Sequence, residues 1–228
     1  MDRRFIGRAI FLRHGQTDYT ETFPDLTEEG KQTIVSSANK MKYIVKTHRN
    51  IMIVSSSRSR ALGSSFIIAE VLGYKGEIKK EPNISLAAIR DKERFKAIIA
   101  EFEPQGGVAA VDLAYTHDPR YEDGEILEPR SEVRKRFYKY LAGLVRQLIT
   151  CPLILCIIHV SHYEVLYHFV EFLFKLDYTR DQTLAHGEII DVSFYDIGNN
   201  DMVEMDVKFR GKMLTGVVFN HKEEAIQQ

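Results

Sequence analysis

The 228-residue chain has no tryptophan and only two cysteines, Cys151 and Cys156. Two cysteines cannot build a disulfide framework, so the simplest reading is a reducing compartment. No charge of one sign dominates: 31 Lys and Arg face 32 Asp and Glu, a formal net charge of −1. That balance argues against broad non-specific nucleic-acid binding, although a local basic pocket can still sit within it. Long hydrophobic runs are also missing. None approaches the roughly 18 residues of a membrane span. The apolar Ala9–Leu12 that follows the charged N-terminal stretch is strand-sized, not a signal-peptide core. A soluble, cytoplasmic protein is the expectation. What remains is ordinary globular material, 44% hydrophobic, 11% aromatic and 28% charged, which excludes collagen-like and coiled-coil chains and argues against disorder.

Short apolar runs alternate with helical patterns. Ala9–Leu12, Ile51–Val54 and Leu153–Val160 read as buried strands, with a further short strand near Ile78. Thr27, followed by Glu28 and Glu29, predicts the start of a helix reaching about Lys46. A second helix is expected from about Ser59 to Leu72, stopped by Gly73. Asp91–Glu101 reads as a third. Gly106-Gly107 suggests that 104–125 is a loop excursion near the active site. Ser131 is expected to cap a strong helix whose Val133, Phe137, Leu141, Leu144 and Leu148 share one face. Another helix follows from His162 to about Leu176. Ile189–Tyr195 and Met202–Phe209 flank Gly198-Asn199-Asn200 as a hairpin, and a last strand covers Leu214–Phe219. Buried strands alternating with helices imply one α/β domain, 1–228, with three layers. Its sheet is mostly parallel, with helices on both faces and a C-terminal antiparallel hairpin.

Ligands of such sheets bind beyond the carboxyl ends of the strands. There the chain carries Arg13-His14-Gly15-Gln16-Thr17, then Ser55-Ser56-Ser57-Arg58-Ser59-Arg60-Ala61, then Ser161-His162. Histidines and arginines converge and carboxylates are missing, which describes an anion site. The planar fork of arginine suits phosphate oxygens. A histidine in that setting can act as a nucleophile toward phosphorus. Nearby guanidinium groups would disfavour its protonation and spread the charge of the transition state. Gly15 would let the backbone approach the substrate closely.

These segments resemble the histidine phosphatase superfamily, the phosphoglycerate mutase-like proteins. Arg13-His14-Gly15-Gln16-Thr17 looks like the superfamily signature. Asp25-Leu26-Thr27-Glu28-Glu29-Gly30 is similar to its first helix start. Ser56-Ser57-Arg58-Ser59-Arg60-Ala61 is similar to its second motif, with Arg58 in place of the usual leucine, and Val160-Ser161-His162 is similar to its second-histidine motif. The resemblance covers nearly the whole chain. It implies that His14 is the nucleophile, that Arg13 and Arg60 bind phosphate, and that His162 contacts the phosphoryl oxygens, with Gly15 and Gln16 lining the substrate. It implies neither a metal nor an organic cofactor.

Three departures bear on the reaction. The family's general acid is missing from its usual place in Leu86-Ala87-Ala88-Ile89-Arg90-Asp91. Asp91 is the shifted candidate, with Glu93 and Glu164 behind it. Tyr163-Glu164 stands where glycines usually follow the second histidine. The stretch from Thr17 to Asp25 lacks the asparagine and tryptophan of true mutases, so the resemblance is to the phosphatase branch. The expected function is hydrolysis of a phosphomonoester, on a small phosphorylated substrate or a phosphoprotein. A phosphoglycerate-type mutase, or a phosphate binder that lost its acid, is the alternative. No nucleic acid or membrane partner is expected, and a homodimer is left open. Arg58 reads equally well as a solvated residue or a substrate contact. His159 and His162 would point to opposite faces of a strand, which argues against a zinc pair. His48, His117, His168, His186 and His221 read as ordinary surface or core residues.

Overall fold

A computed structural model describes residues 3–18, 26–106, 109–176 and 183–227. Asp25 of the first-helix motif lies outside them. Eight strands form one sheet: β1 (Arg4–Arg13), β2 (Asn50–Ser55), β3 (Ile78–Lys80), β4 (Leu155–Ser161), β5 (Ile189–Asn199), β6 (Met202–Phe209), β7 (Lys212–Asn220) and β8 (Ala225–Gln227). Their spatial order is β3-β2-β4-β1-β5-β6-β7-β8. The pairs β3–β2, β2–β4 and β4–β1 are parallel, and every pair from β1–β5 to β7–β8 is antiparallel. The expected three-layer α/β fold is therefore present. Its antiparallel part is larger than one hairpin, because β7 and β8 extend it to the sheet edge.

Side-chain alternation along β1 separates the two faces. Ile10 and Leu12 pack with Ile34, Ala38 and Met41 of α1 (Glu28–Val45) and with Ala61 and Ile68 of α2 (Ser59–Leu72). Ala9 and Phe11 join the opposite core, formed with α5 (Arg130–Thr150) and α6 (Tyr163–Phe174). The predicted α5 face of Val133, Phe137, Leu141, Leu144 and Leu148 is buried there in full. Each such side chain contributes about 1.5–3 kcal/mol by leaving water.

Some boundaries differ from the sequence reading. Helix α5 begins one residue before Ser131, directly after Pro129. Proline fits there because the first N–H groups of a helix have no intrahelical acceptor. The stretch 104–125, expected as a loop, carries helix instead. Helix α3 (Lys92–Gly106) runs through Pro104, α4 spans Ala110–His117, and a 3-10 turn covers Pro119–Tyr121. The apolar Ala110, Leu113, Ala114 and Tyr115 are buried, and that burial is what holds α4 on the body.

Candidate active site

Parallel pairing brings the carboxyl ends of β1, β2 and β4 to one edge. Arg13 lies opposite Ser161, and Ser55 opposite Val160. The ladder continues past the strands, since His14 N–H donates to the Ser161 carbonyl at 3.0 Å and Ser56 N–H to the Val160 carbonyl at 2.9 Å. His14, Ser56 and His162 therefore leave the sheet side by side.

His14 is 2% exposed. Its Nδ1 lies 2.7 Å from the Gly15 carbonyl oxygen. A carbonyl can only accept, so Nδ1 carries the proton. Its Nε2 then keeps the lone pair and accepts from Arg60 Nε at 2.9 Å. Burial pushes the His14 pKa well below the ordinary value, helped by His162, Arg60, Arg13 and His186. The imidazole is neutral, and Nε2 is the nitrogen that keeps the lone pair. Arg60 sits in the first turn of α2, where Ser64 Oγ bonds both its carbonyl and the Gly15 N–H.

The loop after β1 is pressed against α1. A Cβ on Gly15 would lie 2.6 Å from the Gly30 carbonyl oxygen, and one on Gly30 would lie 2.2 Å from that of Gln16. Both glycines serve this backbone contact. Thr27 secures it by donating its N–H to the Gln16 carbonyl and accepting from Gly30 N–H on its hydroxyl, as the expected helix cap.

His162 is fully buried, and its ring centroid is 4.9 Å from that of His14. Its Nε2 lies 2.8 Å from Ser56 Oγ, which also meets Ser85 Oγ at 3.1 Å. Its Nδ1 is buried and has no hydrogen-bond partner among the described residues. Burial again lowers the pKa well below the usual value, with Arg60, Arg13, Arg58 and Arg136 adding to it. Arg58 is exposed, but its charge reaches this ring.

Arg13 is buried and both terminal nitrogens of its guanidinium are engaged. Nη1 and Nη2 donate to the two carboxylate oxygens of Asp112, and Nη1 also donates to the Leu184 carbonyl at 2.7 Å. Its guanidinium carbon lies 5.2 Å from the Tyr163 ring centroid. Tyr163 occupies the position where the resembled family has glycine. Its hydroxyl bonds Thr116 on α4. Burial raises the Asp112 pKa to about 6 against the opposing pull of Arg13.

Asp91 behaves differently from the other sequence candidates. Its carboxylate accepts from the backbone N–H groups of Glu93 and Arg94, so it caps α3. Among the described residues no hydrogen bond joins it to the histidine cluster. Glu93 is exposed on α3 and pairs with Lys96. Glu164 lies in the first turn of α6, near enough for its charge to raise the Asp112 pKa. Gln16 contributes through its backbone carbonyl.

Two residues that sequence reasoning passed over belong to the cluster. Asp112 holds Arg13 from 99 positions away. A faint signal existed, because Asp112 interrupts the apolar run Ala109-Ala110-Val111-Asp112-Leu113-Ala114, and a buried carboxylate requires a partner. His186 lies 5.5 Å from His14, ring centroid to ring centroid. Nothing in the sequence around it separates it from a surface histidine. Among the described residues, no group of three or more His, Cys, Asp or Glu side chains is arranged to hold a metal ion. Nor is any helix long and apolar enough to cross a membrane.

This architecture is the phosphoglycerate mutase-like fold. Neither a protein-family model nor a curated protein matches the chain by sequence. Solved structures match it by shape. "Mycobacterial hydrolase 1" aligns with a TM-score of 0.60 at 18% identity, over 91% of this chain and 100% of that one. A mycobacterial glucosyl-3-phosphoglycerate phosphatase aligns with a TM-score of 0.58 at 19% identity, over 89% and 97%. A phosphoglycerate mutase from Bacillus anthracis str. Sterne aligns with a TM-score of 0.58 at 12% identity, over 86% and 92%.

Proposed function

We propose that this protein is a phosphatase that hydrolyses a phosphomonoester through a phosphohistidine at His14. The observation that carries the reading is the state of the His14 ring: Nδ1–H held by the Gly15 carbonyl, Nε2 left as the acceptor beside Arg60. In the first step Nε2 attacks phosphorus and the ester oxygen departs with the bonding pair. For that attack Arg60 first releases the Nε2 lone pair and donates to a phosphoryl oxygen instead. The Nδ1 of His162, buried without a hydrogen-bond partner among the described residues, is available to another oxygen. Arg13, held by Asp112, supplies fixed positive charge against the developing negative charge. Water then displaces His14 and releases phosphate. Gly15 and Gln16 provide the tight backbone floor of the site. Small phosphorylated compounds and phosphoproteins are the substrate classes.

The Asp112 carboxylate is bonded to this cluster, and both its oxygens face Arg13. Its engagement favours esters whose leaving groups need little protonation, such as aryl phosphates, or anhydrides. The test is turnover of an aryl phosphate by wild type and His14→Ala. Wild type should cleave it and, after acid quenching with labelled substrate, carry the label on His14. His14→Ala should be folded and inactive. Label on another residue, or unchanged turnover in the variant, overturns the assignment.

A further inference from the structure

We infer that His186 is a further phosphoryl-binding residue, whose imidazole donates a hydrogen bond to an oxygen of the group transferred to His14. The inference rests on the phosphohistidine reading above and extends its site by one residue. His186 sits in the turn before β5, and that turn is bolted to the catalytic segment. The Leu184 carbonyl accepts from the Arg13 guanidinium at 2.7 Å. The Gly187 N–H donates to the Arg13 carbonyl at 2.8 Å. Ser37 Oγ of α1 donates to the Gly187 carbonyl at 2.6 Å. Gly187 has φ +70°, and a Cβ there would lie 2.8 Å from Thr33 and 2.9 Å from Ser37. Only glycine fits that conformation and that gap. The backbone on both sides of His186 is therefore fixed relative to Arg13, and Arg13 directly precedes the nucleophile.

The ring itself is half-buried, 5.5 Å from the His14 ring and inclined to it by 54°. The oxygens of a phosphoryl group on Nε2, plus one hydrogen bond of about 2.8 Å, span that separation. Among the described residues none is hydrogen-bonded to the His186 ring, although its neighbours Leu184 and Gly187 are bonded through their backbones. Its donor is thus unspent in the free protein. Burial, together with the charges of Arg13 and Arg60, pushes its pKa down to about 3. An imidazole of that kind is neutral at working pH and is a weak base, so proton abstraction suits it poorly. A neutral N–H donor is the role left to it. With His162 it completes a set of donors that surrounds an anion without adding a second titrating charge.

The experiment uses the full chain with orthovanadate as the phosphoryl probe and an aryl phosphate as the substrate. His186→Ala and His186→Phe should weaken vanadate inhibition and lower kcat/KM by about ten- to a hundredfold, the loss expected of one hydrogen bond to a charged group. His186→Phe keeps the ring volume, so an equal loss in both variants separates the lost donor from a lost filler. His186→Asn should restore most of both quantities, because an amide N–H donates without titrating. Vanadate bound as tightly by His186→Ala as by wild type overturns the inference, as does an asparagine variant no better than alanine. Wild type that neither binds vanadate nor cleaves the ester overturns this inference and the phosphatase reading together. A wild type that does both, beside an unaffected His186→Ala, overturns the inference alone.

Discussion

Asp112 closes both of its carboxylate oxygens onto Arg13, Oδ2 with Nη1 at 2.5 Å and Oδ1 with Nη2 at 3.0 Å, in a site where both side chains are buried. A bidentate bridge fixes the plane of the guanidinium as well as its position. The residue that does this comes from α4, an element outside the sheet. Arg13 is thereby oriented before any substrate arrives, and the orientation depends on α4 staying docked.

Asp112→Asn is expected to lower kcat/KM for an aryl phosphate by about ten- to a hundredfold, because an amide offers the fork one acceptor in place of two. Its effect has a pH signature. The Asp112 pKa is raised to about 6 by burial. As pH falls through that value the carboxylate takes up a proton and the bridge to Arg13 weakens. Wild-type activity should therefore fall on the acid side with an apparent pKa near 6, and Asp112→Asn should lack that limb. A limb that persists in the variant belongs to the substrate or to another group.

The two arginines of the second motif are distinguished by contact. Arg60 bonds His14 Nε2 at 2.9 Å, whereas Arg58 is exposed at the residue before α2. Arg60→Ala should cost about 10²- to 10³-fold in kcat, the scale of a lost transition-state donor. Arg58→Ala should cost less than about tenfold, since its charge acts from the solvent side. Parallel kinetics on both variants check this, and a larger loss at Arg58 would reverse the roles.

Asp91 is accounted for by capping. Asp91→Ala should reduce stability by about 0.5–2 kcal/mol, and Asp91→Asn, an equally good cap, by little. Neither should change the ratio of alkyl to aryl phosphate turnover. A selective loss on alkyl phosphates in Asp91→Asn would restore it as the acid.

His159 is expected to make the protein acid-sensitive. It is fully buried with its ring stacked 4.5 Å from that of Phe11, and burial lowers its pKa to about 3. The unfolded chain takes up this proton near pH 6.5, while the folded chain refuses it until about pH 3. Its contribution to stability is therefore complete above about pH 6.5 and is lost as pH falls, by about 1.4 kcal/mol per unit. His159→Phe, which keeps a stacked ring, should reduce the slope by up to about 1.4 kcal/mol per unit in urea unfolding measured between about pH 7 and about pH 5, leaving the share of the active-site histidines. An unchanged slope would assign the acid sensitivity to the histidines of the active site.

By itself the sequence determined the sheet strands, their alternation with helices, and the chemistry at three strand ends. These are local properties. Ala9–Leu12 is apolar without interruption, Val133 to Leu148 repeats on one helical face, and Arg13-His14, Arg60 and His162 directly follow or flank buried strands. The tertiary structure alone decided what those residues touch. Asp112 and His186 are distant along the chain, and each was unremarkable in its own neighbourhood. Asp112 lay in a stretch whose glycines suggested a loop. His186 lay in a turn whose meaning depends on Arg13 being beside it. Contacts of that kind are set by strand order and helix docking, and no periodicity in the chain encodes them. The same holds for protonation. That His14 presents Nε2 rather than Nδ1 follows from the Gly15 carbonyl at 2.7 Å, and that its ring is neutral follows from burial among arginines. Burial and distance exist only once the chain has folded.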